Sequence, residues 1–522
     1  MSKNKIFPKL LRYYYTVKDL KFRQIFYRVY YVLTNKRRIK IRLSLVEAYP
    51  FVIQDSIGSF ISYTRENSFS FMNLSHQFHD KIDWNFKDYG MLWAYNLNYF
   101  EFLLQENLSR EDGLRLIKDY IDQSNIIEVG FDPYPVSLRN IFWIRFVTKH
   151  SLKDDRIDSF IYENYKILLK KIEYHLLGNH LLENAYSLLF GAYYFRNPKF
   201  YKKAKKILTK ELNEQILSDG AHFELSPMYH QIMLYRLLDC VNLVSNNNWL
   251  EDELLDFLYG KASQMLSWIN AVTLSNGDIP LVNDATFHVT PTTEQLNSYA
   301  ERLAIKTNTQ ISLGESGYRK FKSDKFELFV DIGTIGPDYQ PGHSHADTLS
   351  FILCSNNRPV IIDSGTSTYE VNSTRFYERS TAAHNTVEMS QKNSSDVWSG
   401  HRTGRKAKVN ILKDTDIIVQ ASHNGYRCFG ENHTRTFEFS EQVIKIIDEI
   451  TDDGVAYFHF NPDEPIINLT NNRFQSIDIE MEFVGATRTE WITTHCSLEF
   501  NKTMQNKCLI VFFSKYLETI IL

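Results

Sequence analysis

The hydrophobic period of this chain changes once, near residue 315, and that change restricts the fold more than any other feature. Between about residues 100 and 310, apolar side chains recur at three-to-four spacing: Leu103, Leu104, Leu108, Leu114, Ile117, Tyr120 and Ile121, then Ile167, Leu168, Ile172 and Leu176, then Leu181, Leu182, Leu188 and Leu189. Further helices are read over about 201–217, 228–245, 251–272 and 293–305, divided by Asn197-Pro198, Ser218-Asp219-Gly220 and Ser275-Asn276-Gly277-Asp278. Beyond 315 the spacing becomes that of strands, over 326–332, 349–353, 359–363, 406–412, 417–421, 434–439 and 443–448. Helix pairs joined by short loops indicate an α/α toroid or a solenoid, and no fixed-period repeat chooses between them. Many short strands with turn signals indicate an antiparallel β-sandwich. The expected fold is therefore α+β and multidomain, helical over 46–312 and a sandwich over 313–522, with a long substrate lying in the crevice between them.

At 522 residues the chain is too long for one core, in keeping with this division. Its 43% hydrophobic and 23% charged content reads as globular rather than disordered or fibrous. Aromatics reach 14%, which fits either large apolar cores or a cleft lined with rings that stack on sugar faces. The net charge of −3 hides an uneven distribution. Residues 1–42 hold thirteen Lys or Arg against Asp19 alone, so a basic arm is read over 1–45. That arm is either a solvated helical face or a peripheral contact for an anionic membrane surface or polymer. No nucleic-acid partner is expected. The early apolar run at 26–33 is broken by Arg28 and no small-residue cleavage site follows, so no signal peptide is read. Cys240, Cys354, Cys428, Cys496 and Cys508 lack paired spacing and read as reduced thiols. The expected location is the cytoplasm or the inner membrane face, with the periplasm as the alternative.

Three clusters could carry chemistry. His343 and His345 precede one strand, Asp363 ends the next, and His384 follows twenty-one residues later. Two imidazoles and a carboxylate on neighbouring strands suffice for three zinc ligands, although widely spaced His and Asp are more often ordinary strand-end residues. In Gly178-Asn179-His180-Leu181-Leu182-Glu183-Asn184, Asn179 is placed to cap a helix and Glu183 lies about one turn from His180. An amide and an imidazole at a helix N-terminus would favour an anionic group. Finally, Pro227 ahead of a helix holds Tyr229 near that helix's start.

Together with Trp93–Phe100, Pro133–Arg139, Phe223–His230, Gly342–Asp347, Ile362–Thr366 and Arg379–Val387, these clusters resemble the heparinase II/III family of polysaccharide lyases, in order and over most of the chain. The resemblance implies an N-terminal α/α toroid, a C-terminal β-sandwich and eliminative cleavage of an anionic, uronate-containing polysaccharide or oligosaccharide. It places His345, Asp363 and His384 on the positions of a structural zinc. It further implies Tyr229 as acid/base, His343 as the catalytic histidine of the second domain, Asn179 with His180 as the carboxylate-binding pair, and Glu183 as an acidic position. Asn96, Tyr99, Arg139, Trp143, Glu224, Tyr369, Tyr377 and Arg379 are candidates for substrate contact, with packing an equal reading for each.

The chemistry fits those residue types. Removing the C5 proton of a uronate pushes charge onto a group that is already negative, so neutral or cationic donors must meet the carboxylate. A base takes the proton and an acid returns one to the leaving O4. Tyr229 could do both on one face of the sugar, or divide the work with His343 across two faces. The rival readings are a glycoside hydrolase, which needs a carboxylate pair such as Glu224 with Asp219 or Glu183, and a non-degradative role in making a surface polysaccharide. Few Arg or Lys in the motifs point to a non-sulfated uronate polymer.

Overall fold

The computed structural model describes residues 6–34, 43–250, 253–308 and 311–522, so Lys3, Lys5 and the basic run at 36–42 lie outside the described residues. Two amphipathic helices, α1 (Ile6–Val17) and α2 (Phe22–Thr34), come first. A small antiparallel meander follows, β1 (Tyr63–Thr64), β2 (Ser68–Phe71) and β3 (Leu74–Gln77). Its strands of two to four residues are too short to be read from sequence, even where Ser68–Phe71 alternates.

The toroid is built from α3 (Met91–Tyr99), α4 (Arg110–Gln123), α5 (Pro133–Lys149), α6 (Asp155–Lys170), α7 (Gly178–Tyr194), α8 (Pro198–Gln215), α9 (Pro227–Ser245), α10 (Leu254–Val272) and α11 (Thr293–Arg302). Local sequence sets the starts. Asn197 and Ser226 cap α8 and α9 through their side chains, each with proline in the first turn, and Thr292 with Gln295 forms a capping box on α11. Helices α5, α7 and α9 are buried on nearly every face, whereas α4, α6 and α8 keep polar outer faces.

The second half holds two antiparallel sheets. The smaller runs β4 (Tyr318–Lys322), β5 (Phe326–Asp331), β6 (Phe351–Ser355) and β7 (Arg358–Ile361) in that order. After the short helix α12 (Ser373–Glu378) come β8 (Val387–Met389), the two-stranded β9 (Val397–Trp398) and β10 (Arg402–Thr403), then β11 (Val409–Asp414), β12 (Ile418–His423), β13 (His433–Phe439), β14 (Ile444–His459), β15 (Ile467–Thr470), β16 (Arg473–Gln475), β17 (Glu480–Glu499) and β18 (Lys502–Ile521). The larger sheet has the order β11-β12-β13-β14-β18-β17-β16-β15, with β8 added on β14. Leu328, Val330, Phe351 and Leu353 of the small sheet pack against Phe437, Ile446, Phe458 and Leu509 of the large one. The long hairpin β17–β18 was not legible as strand because its register shifts at Val484/Ala486 and Ala486/Arg488 break the period of two.

A buried ion cluster pins β13 to β14: Arg435 Nε and His433 Nε2 both lie 2.7 Å from Asp448 Oδ1. Burial alone would raise Asp448, but Arg435 and His433 outweigh it and hold the carboxyl at about 2. A depressed carboxyl contributes stability above its unfolded value and loses it as pH falls through the folded one. Native protein is therefore expected to lose about 2 kcal/mol from this group alone between pH 4 and pH 2. Asp448→Asn should flatten the acid limb of a thermal-melt series over that window, and an unchanged slope would refute the linkage.

The halves interlock. In the loop between α10 and α11, Asp284 N donates to His343 O at 3.0 Å, and Asn283 Oδ1 accepts from His345 N at 3.1 Å.

Candidate active site

A cleft of about 910 Å³ lies between toroid and sandwich. Of the residues singled out from sequence, Asn96, Tyr99, Asn179, His180, Glu183, Tyr229, His343 and Tyr369 line it. Tyr229 sits on the first turn of α9, where Ser226 Oγ accepts from Tyr229 N. Its ring meets His343 at 3.9 Å between centroids, and its hydroxyl lies 3.2 Å from that of Tyr369. Burial pushes the phenol well above its ordinary range, so the resting group carries its proton.

His343 is oriented by a residue that sequence reading missed. Asp284 Oδ2 lies 2.9 Å from His343 Nδ1, and Asp284 Oδ1 lies 2.9 Å from His345 Nε2. The same carboxylate takes both terminal nitrogens of Arg375, one of them at 2.7 Å. Burial opposes the charge, yet Arg375 and the two histidines keep Asp284 ionised, well below the usual carboxylate range. An ionised carboxylate only accepts, so His343 carries its hydrogen on Nδ1, and its Nε2 lies 3.5 Å from Glu224 Oε2 at the cleft wall. Asp284 lies in an aperiodic loop that offers no pattern to read. Arg375 was findable, because it sits one helical turn before Arg379. His401, 5.8 Å from His343 and 4.9 Å from Tyr369 by ring centroids, was also missed.

The amide–imidazole pair is arranged differently from expectation. Helix α7 starts at Gly178 behind Leu177 with no side-chain cap, so Asn179 lies inside the first turn rather than capping it. Asn179 N and Nδ2 both donate to Glu224, at 3.0 and 2.9 Å. Gly178 is required here: its φ is +57°, and a Cβ would sit 2.5 Å from Glu224 Oε1. His180 Nδ1 lies 3.0 Å from Glu173 Oε1. Burial pulls this imidazole down, but Glu173 outweighs it and the net shift is upward, which favours a cation facing the cleft. Glu183 is fully buried 3.6 Å from Arg236 Nε, and burial raises it to about 7 against that neighbour.

Several substrate-contact expectations are corrected. Arg139 is fully buried and donates to Gly130 O, while Trp143 stacks among Phe100, Tyr120 and Phe160 inside the toroid. Arg379 is buried and donates to Ser344 O, supporting the His343 loop from beneath. Tyr377 does not line the cleft, and Glu224 is buried behind Asn179. Of the carboxylate pairs considered for a hydrolase, Glu224 with Asp219 is not assembled, since Asp219 is taken by Ser316 Oγ and the backbone of Gly314 and Ser316, and Glu183 is engaged by Arg236.

The expected zinc ligands meet in the interior. His345 and His384 lie 5.2 Å apart by ring centroids, and both are fully buried. His345 Nδ1 and His384 Nε2 have no hydrogen-bond partner, nor does Asp347 Oδ2 nearby. Asp363 is not turned toward a shared ion: its Oδ2 takes His384 Nδ1 at 2.7 Å. Among the described residues, the side chains whose ligand atoms come within 4.8 Å of one another are instead Asp284, His343 and His401. There Arg375 already neutralises the carboxylate, which disfavours a second cation.

Residues 133–310 match the heparinase II/III N-terminus and residues 306–499 the heparinase II/III-like C-terminal domain. A heparin-sulfate lyase of Bacteroides stercoris is 26% identical over 262 residues, covering 43% of this chain and 38% of the relative. A heparin-sulfate lyase of Pedobacter heparinus is 24% identical over 245 residues, covering 41% of this chain and 36% of the relative. The matched stretch thus spans well under half the length of these curated relatives. A crystal structure of heparinase III aligns with a TM-score of 0.64 at 16% identity, over 98% of this chain and 88% of that one. A second heparinase III structure gives 0.62 at 16% identity, over 85% and 80%. At such identities the structural likeness establishes the fold, an α/α toroid followed by an antiparallel β-sandwich. With both halves matched in sequence order, the chain belongs to the heparinase II/III-like family.

Proposed function

We propose that the protein is a polysaccharide lyase that cleaves a uronic-acid-containing polysaccharide by β-elimination in the cleft. The observation that carries this reading is the contact of Tyr229 with His343 at 3.9 Å, one from each half, with Asp284 fixing the imidazole. His180, which Glu173 shifts toward its protonated form, meets the substrate carboxylate and stabilises the charge that builds there as C5 is deprotonated. His343 Nε2 takes the C5 proton, the electron pair forms the C4–C5 double bond, the C4–O4 bond breaks, and the Tyr229 hydroxyl protonates O4. Because the two rings are in contact, both transfers are assigned to one side of the sugar. Incubation with uronate polymers is expected to produce ultraviolet-absorbing unsaturated ends. Saturated products would point to hydrolysis and end this reading.

The curated relatives are named for heparin sulfate. For this chain we assign a polymer of lower charge, because the guanidinium groups lining the cleft are Arg28, Arg236 and Arg402, and Arg236 is engaged by Glu183 and Glu101.

We also assign a structural zinc to the buried histidine cluster. His345 Nδ1 and His384 Nε2 would hold it, with the unpartnered Asp347 Oδ2 as the carboxylate in place of Asp363, which is engaged by His384 and Gly365. The support is chemical: each ring gives its other nitrogen to a carboxylate, Asp284 or Asp363, and leaves a buried lone pair free. Bound there, the ion would tie the strand ends together below His343. His345→Ala is expected to lose metal and melt at lower temperature, whereas His343→Ala should lose activity and keep metal. Elemental analysis with thermal melts reads both, and metal-free native protein that melts unchanged after chelation would remove the assignment.

A further inference from the structure

The α1–α2 hairpin is not a free arm, because it is bonded to both walls of the cleft. On the toroid side, Tyr31 Oη donates to Ile172 O at 2.5 Å, Gln24 Nε2 donates to Leu176 O at 3.2 Å, and Lys21 pairs with Glu214. On the sandwich side, Arg12 pairs with Asp396 at 2.7 Å, Lys406 with Asp19 at 2.9 Å, and Trp398 Nε1 donates to Thr16 Oγ1 at 3.1 Å. Between these anchors Thr16, Val17, Leu20, Gln24 and Arg28 face the cleft. The crevice is bridged elsewhere too, where the β2–β3 turn meets the β17–β18 turn: Asn73 Nδ2 donates to Phe500 O at 2.9 Å and Asn501 Nδ2 to Met72 O at 2.8 Å. A polymer cannot lie across a crevice that is spanned in two places as freely as in an open trough.

At the hairpin, the two halves bring like charges together. Arg28 comes from α2 and Arg402 from β10, both line the cleft, and among the described residues neither has a carboxylate within ion-pair distance. Neutral groups hold them instead: Arg28 Nε donates to His175 O at 3.4 Å, and the Arg402 guanidinium lies 5.3 Å from the centre of the Trp398 ring. Partial burial and then Arg402 itself lower Arg28, as expected of two unneutralised guanidinium groups close to each other. Every other imidazole or guanidinium group lining the cleft among the described residues has an acidic neighbour: His180, Arg236, His288, His343 and His401.

We propose that the α1–α2 hairpin closes one end of the cleft and that Arg28 and Arg402 form an anion subsite there, which binds the carboxylate or sulfate ester of the sugar residue lying against that wall. The proposal rests on the lyase reading and adds to it a substrate-end preference and a specificity pair. A guanidinium matches either oxyanion in two-point geometry, which an ammonium does not. With the wall in place, substrate enters by its end, and cleavage occurs at a fixed distance from that end.

The test uses the full-length protein and two short uronate oligosaccharides, one non-sulfated and one sulfated. In a Tyr229→Phe background, calorimetric Kd should rise about tenfold or more on adding Arg28→Gln and Arg402→Gln. In the active enzyme the same pair should raise KM about tenfold with kcat within about twofold, and Arg→Lys at both positions should restore part of the loss. Lys153→Ala, outside the cleft, should change nothing. A loss confined to the sulfated ligand assigns the subsite to sulfate, and an equal loss for both assigns it to the carboxylate. On polymer, the parent enzyme should release short products of uniform size from the earliest time. Unchanged Kd and KM in the double variant, or an early spread of long fragments, would overturn the proposal and leave the lyase reading standing. No unsaturated product from any uronate polymer would remove both.

Discussion

Tyr229→Phe is expected to lower kcat on a uronate polymer by about 10²–10⁴-fold, the range associated with losing a positioned proton-transfer group. KM should change little, because the hydroxyl's contact in the free protein is Tyr369 Oη at 3.2 Å rather than a substrate-positioning carboxylate or backbone group. The melting temperature should hold as well, since the ring stays stacked on His343 and only an exchangeable hydroxyl pair is lost. That combination separates a chemical role from a structural one: an interaction made only in the transition state lowers kcat and kcat/KM together. Tyr369→Phe is the informative companion, because it removes the partner hydroxyl and keeps the proton donor. A loss below about tenfold in Tyr229→Phe would refute the acid role and move attention to His401, whose ring also reaches His343 and Tyr369.

Which parts of this architecture can be read from sequence follows from what sets them. The change of hydrophobic period at 315 is a direct record of which faces are buried, so α8 to α11 and β5 to β7 fall close to where the spacing puts them. The place of Tyr229 near a helix start was legible from Pro227, whereas its chemical role came only from the family resemblance. Burial of Arg139, Trp143 and Arg379 was not legible, because a buried guanidinium is held by backbone carbonyls such as Gly130 O and Ser344 O, which leave no mark on side-chain pattern. Asp284 was invisible for a related reason. It belongs by sequence to the helical half and by contact to the sandwich, and nothing local distinguishes it from the other acids of turns. The double use of Gly342–Asp347 was legible only in outline: His343 faces the cleft while His345 is buried, but both hang on the one carboxylate that the sequence did not reveal.

That carboxylate makes the second large prediction. Asp284 is fully buried and accepts from Arg375 twice, from His343 and from His345. Asp284→Ala leaves the Arg375 guanidinium buried without its counter-charge, and breaking such a pair typically costs about 3–5 kcal/mol. The same change frees His343 to rotate and to place its hydrogen on either nitrogen, so activity should fall in the protein that remains folded. The two losses have different causes and can be separated. In Asp284→Ala/Arg375→Met the stranded charge is gone, and stability should recover substantially over the single variant, a non-additivity that a double-mutant cycle reads directly. Activity should not recover, because His343 still lacks its anchor. If both return together, Asp284 acts only by holding the fold. If the single variant melts like the parent, the buried Arg375 charge has found another partner and the account of this ion cluster is wrong.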